Sequence, residues 1–241
     1  MRGKRLAAGL CMAACLMILA AVFWSGEESV LAVLAPSDGA AAASRVVVID
    51  AGHGGADGGA VAEDGTTEAE INLAVARKLE SVFQLLGQES VMVRREDISI
   101  HSEGVEGLRE QKVSDIHNRV ELVNELDNAV LISIHQNSLP QVRSVHGAQV
   151  FYNDISGAEE LAVCVQEAFN LTVNPGNEKQ EKTIGNGVYL MQHSDAPGIL
   201  VECGFLSNAQ ETEHLKTDDY QNRLALTIAA GYFQYASAEK S

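Results

Sequence analysis

The sequence predicts a single α/β domain whose mostly parallel, twisted sheet is flanked by helices in three layers. Two near-continuous apolar runs, at residues 46–50 and 129–134, are typical of strands buried on both faces. Segments with apolar residues at helical spacing separate the strands, and such alternation favours a parallel sheet covered by helices. With 241 residues, the chain can form one such domain together with a terminal appendage.

The first half of the domain alternates strands with helices. Apolar residues at helical spacing predict an amphipathic helix between Ile71 and Gly87 and a second helix between Ile116 and Leu126. Strands of this half are predicted at residues 46–50, 90–94 and 129–134, and polar loops at residues 54–66 and 101–111.

The second half continues the alternation without repeating the sequence. Short apolar runs predict its strands, and a polar segment with Pro175 and Gly176 predicts a loop. In order, we expect a strand at residues 148–152, a helix at 158–171, a loop at 174–182, strands at 188–191 and 199–202, and a closing helix at 220–235.

The amino terminus has the features of a membrane anchor. Basic residues at positions 2, 4 and 5 precede an uncharged run from residue 6 to residue 24, which is about the length of a membrane-spanning helix. Positive charge on the amino side predicts that this end stays in the cytoplasm and that the rest of the chain is exported. Small residues near positions 30–35 leave open whether the anchor is cleaved.

We therefore expect a signal-anchor at residues 1–24, a flexible linker at 25–44 and an extracytoplasmic folded domain at 45–236. The formal net charge is −16, and residues 1–44 contain as many basic as acidic side chains, so the excess negative charge lies in the folded domain. Such a surface repels phosphate backbones, which argues against a nucleic-acid partner.

Three apolar strands are each followed by a residue that can bind a metal or move a proton. These residues are His53, His135 and Glu202. Because the carboxyl ends of parallel strands lie along one edge of a sheet, we expect the three side chains to converge there. Two imidazoles and one carboxylate suit zinc, with a fourth position left for water.

The carboxylate ligand has to be chosen between Glu68 and Glu70. Thr67 and Glu70 have the spacing of a capping box, in which the glutamate bonds back to the first amide of the helix. Glu68 lies on the same first turn and is free to face a metal, so we predict that Glu68 is the third ligand.

Glu202 closes an apolar strand, where an unpaired carboxylate is costly to bury. One interpretation is an ion pair with Arg94 or Arg95. The other is a general base that takes a proton from the attacking water and returns it to a leaving amine. Both interpretations remain open from the residues alone.

The motifs resemble a known enzyme family. His53-Gly54-Gly55, Glu68 four residues before Asn72, residues 133–137 and residues 201–208 occur in this order. They resemble the zinc-dependent N-acetylmuramoyl-L-alanine amidases often called amidase 3. The resemblance implies a zinc site at His53, Glu68 and His135, catalysis by Glu202, and cleavage of the amide between muramic acid and L-alanine in peptidoglycan.

Within this family, the chain resembles the spore-cortex amidases that act in germination. The resemblance rests on the anchor, the glycine loop at residues 103–107 before Asn118-Arg119-Val120, and residues 187–192. It implies removal of whole peptides so that muramic-δ-lactam can form. The sequence has no added wall-binding repeat, so we expect control by an accessory activating protein.

Two alternative functions use the same residues. A zinc peptidase or deacetylase would cut a peptide bond or an acetyl group of the wall, and the products of a wall digest would distinguish it. A membrane-anchored, non-catalytic wall-binding relative would bind without turnover, and metal analysis together with an activity assay would identify it.

Overall fold

The computed structural model describes residues 45–238, which form an α/β domain around one six-stranded sheet. The strands follow the order β2-β1-β3-β6-β4-β5 across the sheet. They are β1 (Val46–Ala51), β2 (Ser90–Met92), β3 (Ala129–Asn137), β4 (Gln149–Tyr152), β5 (Lys182–Thr183) and β6 (Gly198–Phe205).

The sheet is mixed rather than uniformly parallel. β2, β1, β3 and β6 run in the same direction, whereas β4 pairs antiparallel with β6 and carries β5 parallel to itself. The carboxyl ends of β1, β3 and β6 therefore lie side by side at one edge of the sheet, as expected for neighbouring parallel strands.

Helices cover both faces of the sheet. They are α1 (Glu68–Leu85), α2 (Leu108–Asn124), α3 (Ala158–Thr172), α4 (Tyr189–His193), α5 (Ala209–Leu215) and α6 (Asp218–Ala238). Successive strand residues point to opposite faces, so Ile49 belongs to one core and Val48 to the other.

The larger core lies under α1, α3 and α6. Phe83, Phe169 and Tyr232 are fully buried there against sheet residues such as Ile132. The smaller core joins the opposite face to α2 and α4 through Val123 and the buried residues of α4. This arrangement gives three layers, helix–sheet–helix.

Two sequence predictions about the elements are wrong. The strand predicted at residues 188–191 is the short helix α4, because a short apolar run does not distinguish a strand from a buried helical turn. The loop predicted at residues 101–111 ends early, since α2 begins at Leu108. The first turns of α2 are mostly exposed, including the apolar Leu108 and Val113, so apolar spacing marks only its packed part.

The predicted anchor at residues 1–24 and linker at 25–44 lie outside the described residues. Within residues 45–238, no helix combines the length and the apolar composition needed to cross a bilayer.

Candidate active site

Three adjacent parallel strands bring the predicted site residues to one edge of the sheet. His53 follows β1 by two residues, and His135 and Glu202 lie near the carboxyl ends of β3 and β6. His135 and Glu202 are register partners across these two strands, while Ala51 of β1 pairs with Ile134 of β3. The fold therefore places both imidazoles and the carboxylate in neighbouring positions.

Glu68 lies between the two imidazoles. Its Oε1 is 2.8 Å from His135 Nδ1, and its Oε2 is 3.3 Å from His53 Nε2. One side-chain donor atom from each of the three residues lies within 4.8 Å of the other two. Two nitrogens and one carboxylate oxygen at such separations could hold a divalent ion, and this donor set fits zinc.

The first turn of α1 directs Glu68 toward the histidines. Thr67 is the N-cap residue, and its Oγ1 accepts a hydrogen bond from the Glu70 amide at 3.4 Å. Among the described residues, the exposed Glu70 side chain makes no bond back to the Thr67 amide, so only half of the predicted capping box forms. Glu68 is 4% exposed, and its oxygens also accept the amides of Ala60 and Gln136.

Asp57 orients His53 from the side away from Glu68. His53 Nδ1 lies 3.0 Å from Asp57 Oδ2, while Lys112 Nζ lies 2.8 Å from the other oxygen of Asp57. A carboxylate behind a histidine fixes the tautomer and leaves Nε2 free for a metal. This role of Asp57 could not be predicted from the sequence, because the residue lies in a loop with no periodic pattern.

The electrostatics couple the three residues. Burial opposes the protonation of His53, but the carboxylates of Glu68 and Asp57 outweigh it and raise the pKa of His53 to about 9. Burial also acts to raise the pKa of Glu68, yet the two imidazoles hold that pKa well below its usual range. These surroundings therefore favour an ionised Glu68 beside a protonated His53.

The Glu202 carboxylate has a shielded oxygen and a raised pKa. Its Oε2 is shielded from solvent, and no hydrogen bond reaches this atom from the described residues. Burial raises the pKa of Glu202 to about 7; the imidazole of His135 opposes the shift and the Glu68 carboxylate adds to it. A pKa near neutrality suits an acid that both accepts and returns a proton.

The alternative ion pair of Glu202 with an arginine is contradicted. Arg94 donates to backbone carbonyls, including those of Ala51 and Gly52, and Arg95 pairs with Glu80. The Glu202 carboxylate is therefore not neutralised by either arginine.

Two glycines keep space free around the site. A Cβ atom at Gly52 would overlap the imidazole of His135, and one at Gly59 would overlap both Glu68 and His53. Gly59 also has a φ of +67°, a conformation that favours glycine.

Asn137 and the other five histidines do not belong to this cluster. Asn137 ends β3, where its side chain accepts the Ser138 amide, so it holds the turn. His193 stacks on Tyr189 with ring centroids 3.7 Å apart. The remaining histidines are exposed or partly exposed; they are His101, His117, His146 and His214.

Comparison with known proteins identifies the family. A family model described as Amidase_3, N-acetylmuramoyl-L-alanine amidase, matches residues 47–233. The chain is 32% identical over 191 residues to the germination-specific N-acetylmuramoyl-L-alanine amidase of Bacillus subtilis, and the match covers 79% of each chain.

Solved structures agree with this match. The CwlD amidase from Clostridioides difficile, in complex with the GerS lipoprotein, is 33% identical with a TM-score of 0.77, and the match covers 81% of this chain and 100% of that chain. An N-acetylmuramoyl-L-alanine amidase from Clostridium difficile 630 is 28% identical with a TM-score of 0.68, covering 81% and 98%. The chain therefore belongs to the amidase 3 family and is an N-acetylmuramoyl-L-alanine amidase, an enzyme that hydrolyses peptidoglycan.

Proposed function

We propose that this amidase is zinc-dependent, with His53, Glu68 and His135 as the ligands and Glu202 as the catalytic acid and base. The observation that carries the proposal is the cluster itself: three donor atoms lie within 4.8 Å of one another, with Glu202 in register beside His135. The donor set matches catalytic zinc sites, in which three protein ligands leave one position open.

Glu202 performs the proton transfers in this proposal. When bound, zinc would act as a Lewis acid that polarises the scissile carbonyl and activates water for attack. The unpaired Oε2 of Glu202 takes the proton of the attacking water and then delivers it to the departing amine of L-alanine. A carboxyl group with a pKa of about 7 can do both near neutral pH.

We further propose that the substrate is spore-cortex peptidoglycan and that the enzyme acts outside the cytoplasm. The support is the 32% identity to a germination-specific amidase and the basic, then apolar, amino-terminal sequence at residues 1–24. In this proposal, residues 1–24 anchor the enzyme to the membrane or direct its secretion, residues 25–44 form a linker, and residues 45–236 form the catalytic domain.

The proposed function also includes an accessory protein that controls the enzyme. A structural relative with 33% identity was solved in complex with a lipoprotein. By analogy, we propose that a lipoprotein partner controls this enzyme at the membrane surface.

Digestion of purified cortex peptidoglycan tests the proposed function. The purified protein is first stripped of metal with a chelator, then incubated with cortex and with vegetative wall, with and without added zinc, and the products are identified by mass spectrometry. We expect intact stem peptides with a free L-alanine amine, released only with zinc and faster from cortex. Shortened peptides would indicate a peptidase, and release that does not depend on zinc would contradict the proposed metal site.

A further inference from the structure

The loop that carries His53 rests on two buried arginines. Three successive carbonyls, those of Ala51, Gly52 and His53, accept hydrogen bonds from the guanidinium groups of Arg94 and Arg119. Both arginine side chains are only 2% exposed. The backbone of this loop is thus bound from the protein interior, while the His53 imidazole faces the site.

Arg119 ties this loop to the centre of the sheet. Its Nη2 donates to the His53 carbonyl at 2.8 Å and its Nη1 to the Ala51 carbonyl at 3.0 Å. The same guanidinium forms a buried ion pair with Asp50 of β1 and bonds Asp115 at 2.6 Å through Nε. Asp50 is in turn held by the hydroxyl of Ser133 on β3 at 2.6 Å.

Arg94 joins the two segments that carry the first two proposed ligands. Its Nε donates to Ala51 O at 2.8 Å, and its Nη2 donates both to Gly52 O at 3.0 Å and to Ala69 O at 2.9 Å. Ala69 directly follows Glu68 on α1. One planar guanidinium therefore sets the distance between the His53 loop and the start of the helix that bears Glu68.

The loop needs such support because its conformation is uncommon. His53 has a φ of +60°, which few residues other than glycine adopt. A residue held in this region persists only where its surroundings fix it, and such residues cluster at functional sites. The rigid fork of a guanidinium can bind several carbonyls in a fixed geometry, whereas a lysine ammonium is a single point charge.

We propose that Arg94 and Arg119 are positioning residues that pre-organise His53 and Glu68 for metal binding. This inference rests on the proposed zinc site, and neither arginine is proposed to contact zinc or substrate. Loss of either guanidinium fork should loosen the spacing of the ligands, and changes in groups that orient metal ligands typically cost about 10–100-fold in affinity.

Zinc affinity of the metal-free protein, measured by competition with a chelating indicator, tests the inference directly. Arg94→Lys and Arg119→Lys keep the positive charge but remove the fork. We expect each to weaken zinc binding about 10–100-fold. Thermal unfolding of the same metal-free samples reports the stability of the fold independently of the metal.

Asn153→Ala is the matched control. The buried Asn153 side chain also binds backbone, donating to Ala196 O at 3.0 Å and accepting the Gly198 amide at 2.9 Å, in a different part of the sheet. This variant should lower the unfolding temperature without changing the zinc dissociation constant by more than about twofold. A positioning role predicts that the lysine variants lose zinc affinity, whereas general destabilisation alone, as in Asn153→Ala, lowers the unfolding temperature and leaves the zinc affinity unchanged.

The outcomes are distinct. If the wild-type protein binds no zinc, or if His53→Ala binds it as tightly as the wild type, the proposed function fails and the inference fails with it. If the wild type binds zinc at this site and folded lysine variants keep its affinity, only the inference is overturned. If Arg119→Lys does not fold, Asp115→Asn replaces it in the test. This change weakens the hydrogen bond that Arg119 Nε donates to the partly exposed Asp115 carboxylate. Unchanged zinc affinity in Asp115→Asn would contradict the role of Arg119.

Discussion

Glu202 and His135 are register partners on the adjacent parallel strands β6 and β3. This pairing places a carboxylate of raised pKa beside a candidate metal ligand without any direct hydrogen bond between the two side chains among the described contacts. The relationship follows from the sheet itself, so the spacing between the proposed base and His135 is set by the register of two neighbouring strands.

Replacing the proposed base should separate chemistry from metal binding. Glu202→Gln keeps the shape of the side chain but cannot accept a proton, so kcat for peptide release should fall by about 10²–10⁴-fold. Metal analysis should still find one zinc per chain. Glu70→Gln, an exposed change two residues from Glu68, is the control and should keep full activity. Undiminished release by Glu202→Gln would refute the assignment.

The space at Gly52 should be essential for the site. Gly52→Ala would drive a methyl group into the imidazole of His135, and that ring would have to move. We expect a loss of zinc affinity with the secondary structure retained, measured by chelator competition and circular dichroism. Gly185→Ala is the control, because a Cβ atom there would meet no atom within 4 Å and the residue does not have a positive φ. Equal zinc affinity in the two variants would contradict the close approach of the Gly52 backbone to the His135 ring.

Zinc affinity should rise with pH in the neutral range. His53 has a pKa of about 9 in the metal-free protein, and it must lose its proton before Nε2 can bind a metal. Below that pKa, each unit of pH should change the apparent affinity by about tenfold, because one proton competes with the metal. Titrations between about pH 6.5 and 8.5 test this expectation.

Asp57→Asn provides the control for this pH dependence. It removes one of the two carboxylates that raise the pKa of His53, so the rise in zinc affinity should level off at a lower pH. A zinc affinity that does not vary with pH in the wild type would show that His53 is not protonated in the metal-free site.

Removal of the metal should destabilise the fold reversibly. Free zinc at about 1,000 times its dissociation constant adds about 4 kcal/mol to the free energy of unfolding. For a domain of this size, that corresponds to an unfolding temperature higher by roughly 8–16 °C. Calorimetry with a chelator and after re-addition of zinc measures the difference, and His53→Ala should show almost none. An equal shift in that variant would point to binding elsewhere.

Much of the central sheet could be predicted from the sequence. The apolar runs of β1, β3 and β6 are strong signals because each strand is buried on both faces. The short elements α4, α5 and β5 were assigned wrongly or missed. Each has at most seven residues, too few for a periodic pattern, and tertiary packing decides its conformation.

Part of the candidate site could be predicted from the sequence, and part could not. Residues that follow strong strands, such as His53 and His135, can be found from the sequence together with the topology rule for parallel sheets. The support from Arg94 and Arg119 could not, because these side chains reach backbone carbonyls 43 and 66 residues away in the chain. The physical signal for Arg119 was Asp50, an acid at the end of an apolar strand, because a buried carboxylate needs a partner.

Anomalous diffraction at the zinc absorption edge, from crystals of the purified protein, tests the central claim most directly. We predict one strong peak between His53, Glu68 and His135, with ligand distances of about 2.0–2.2 Å. Zinc-supplemented crystals without a peak there, or with their principal peak on other residues, would contradict the proposed metal site.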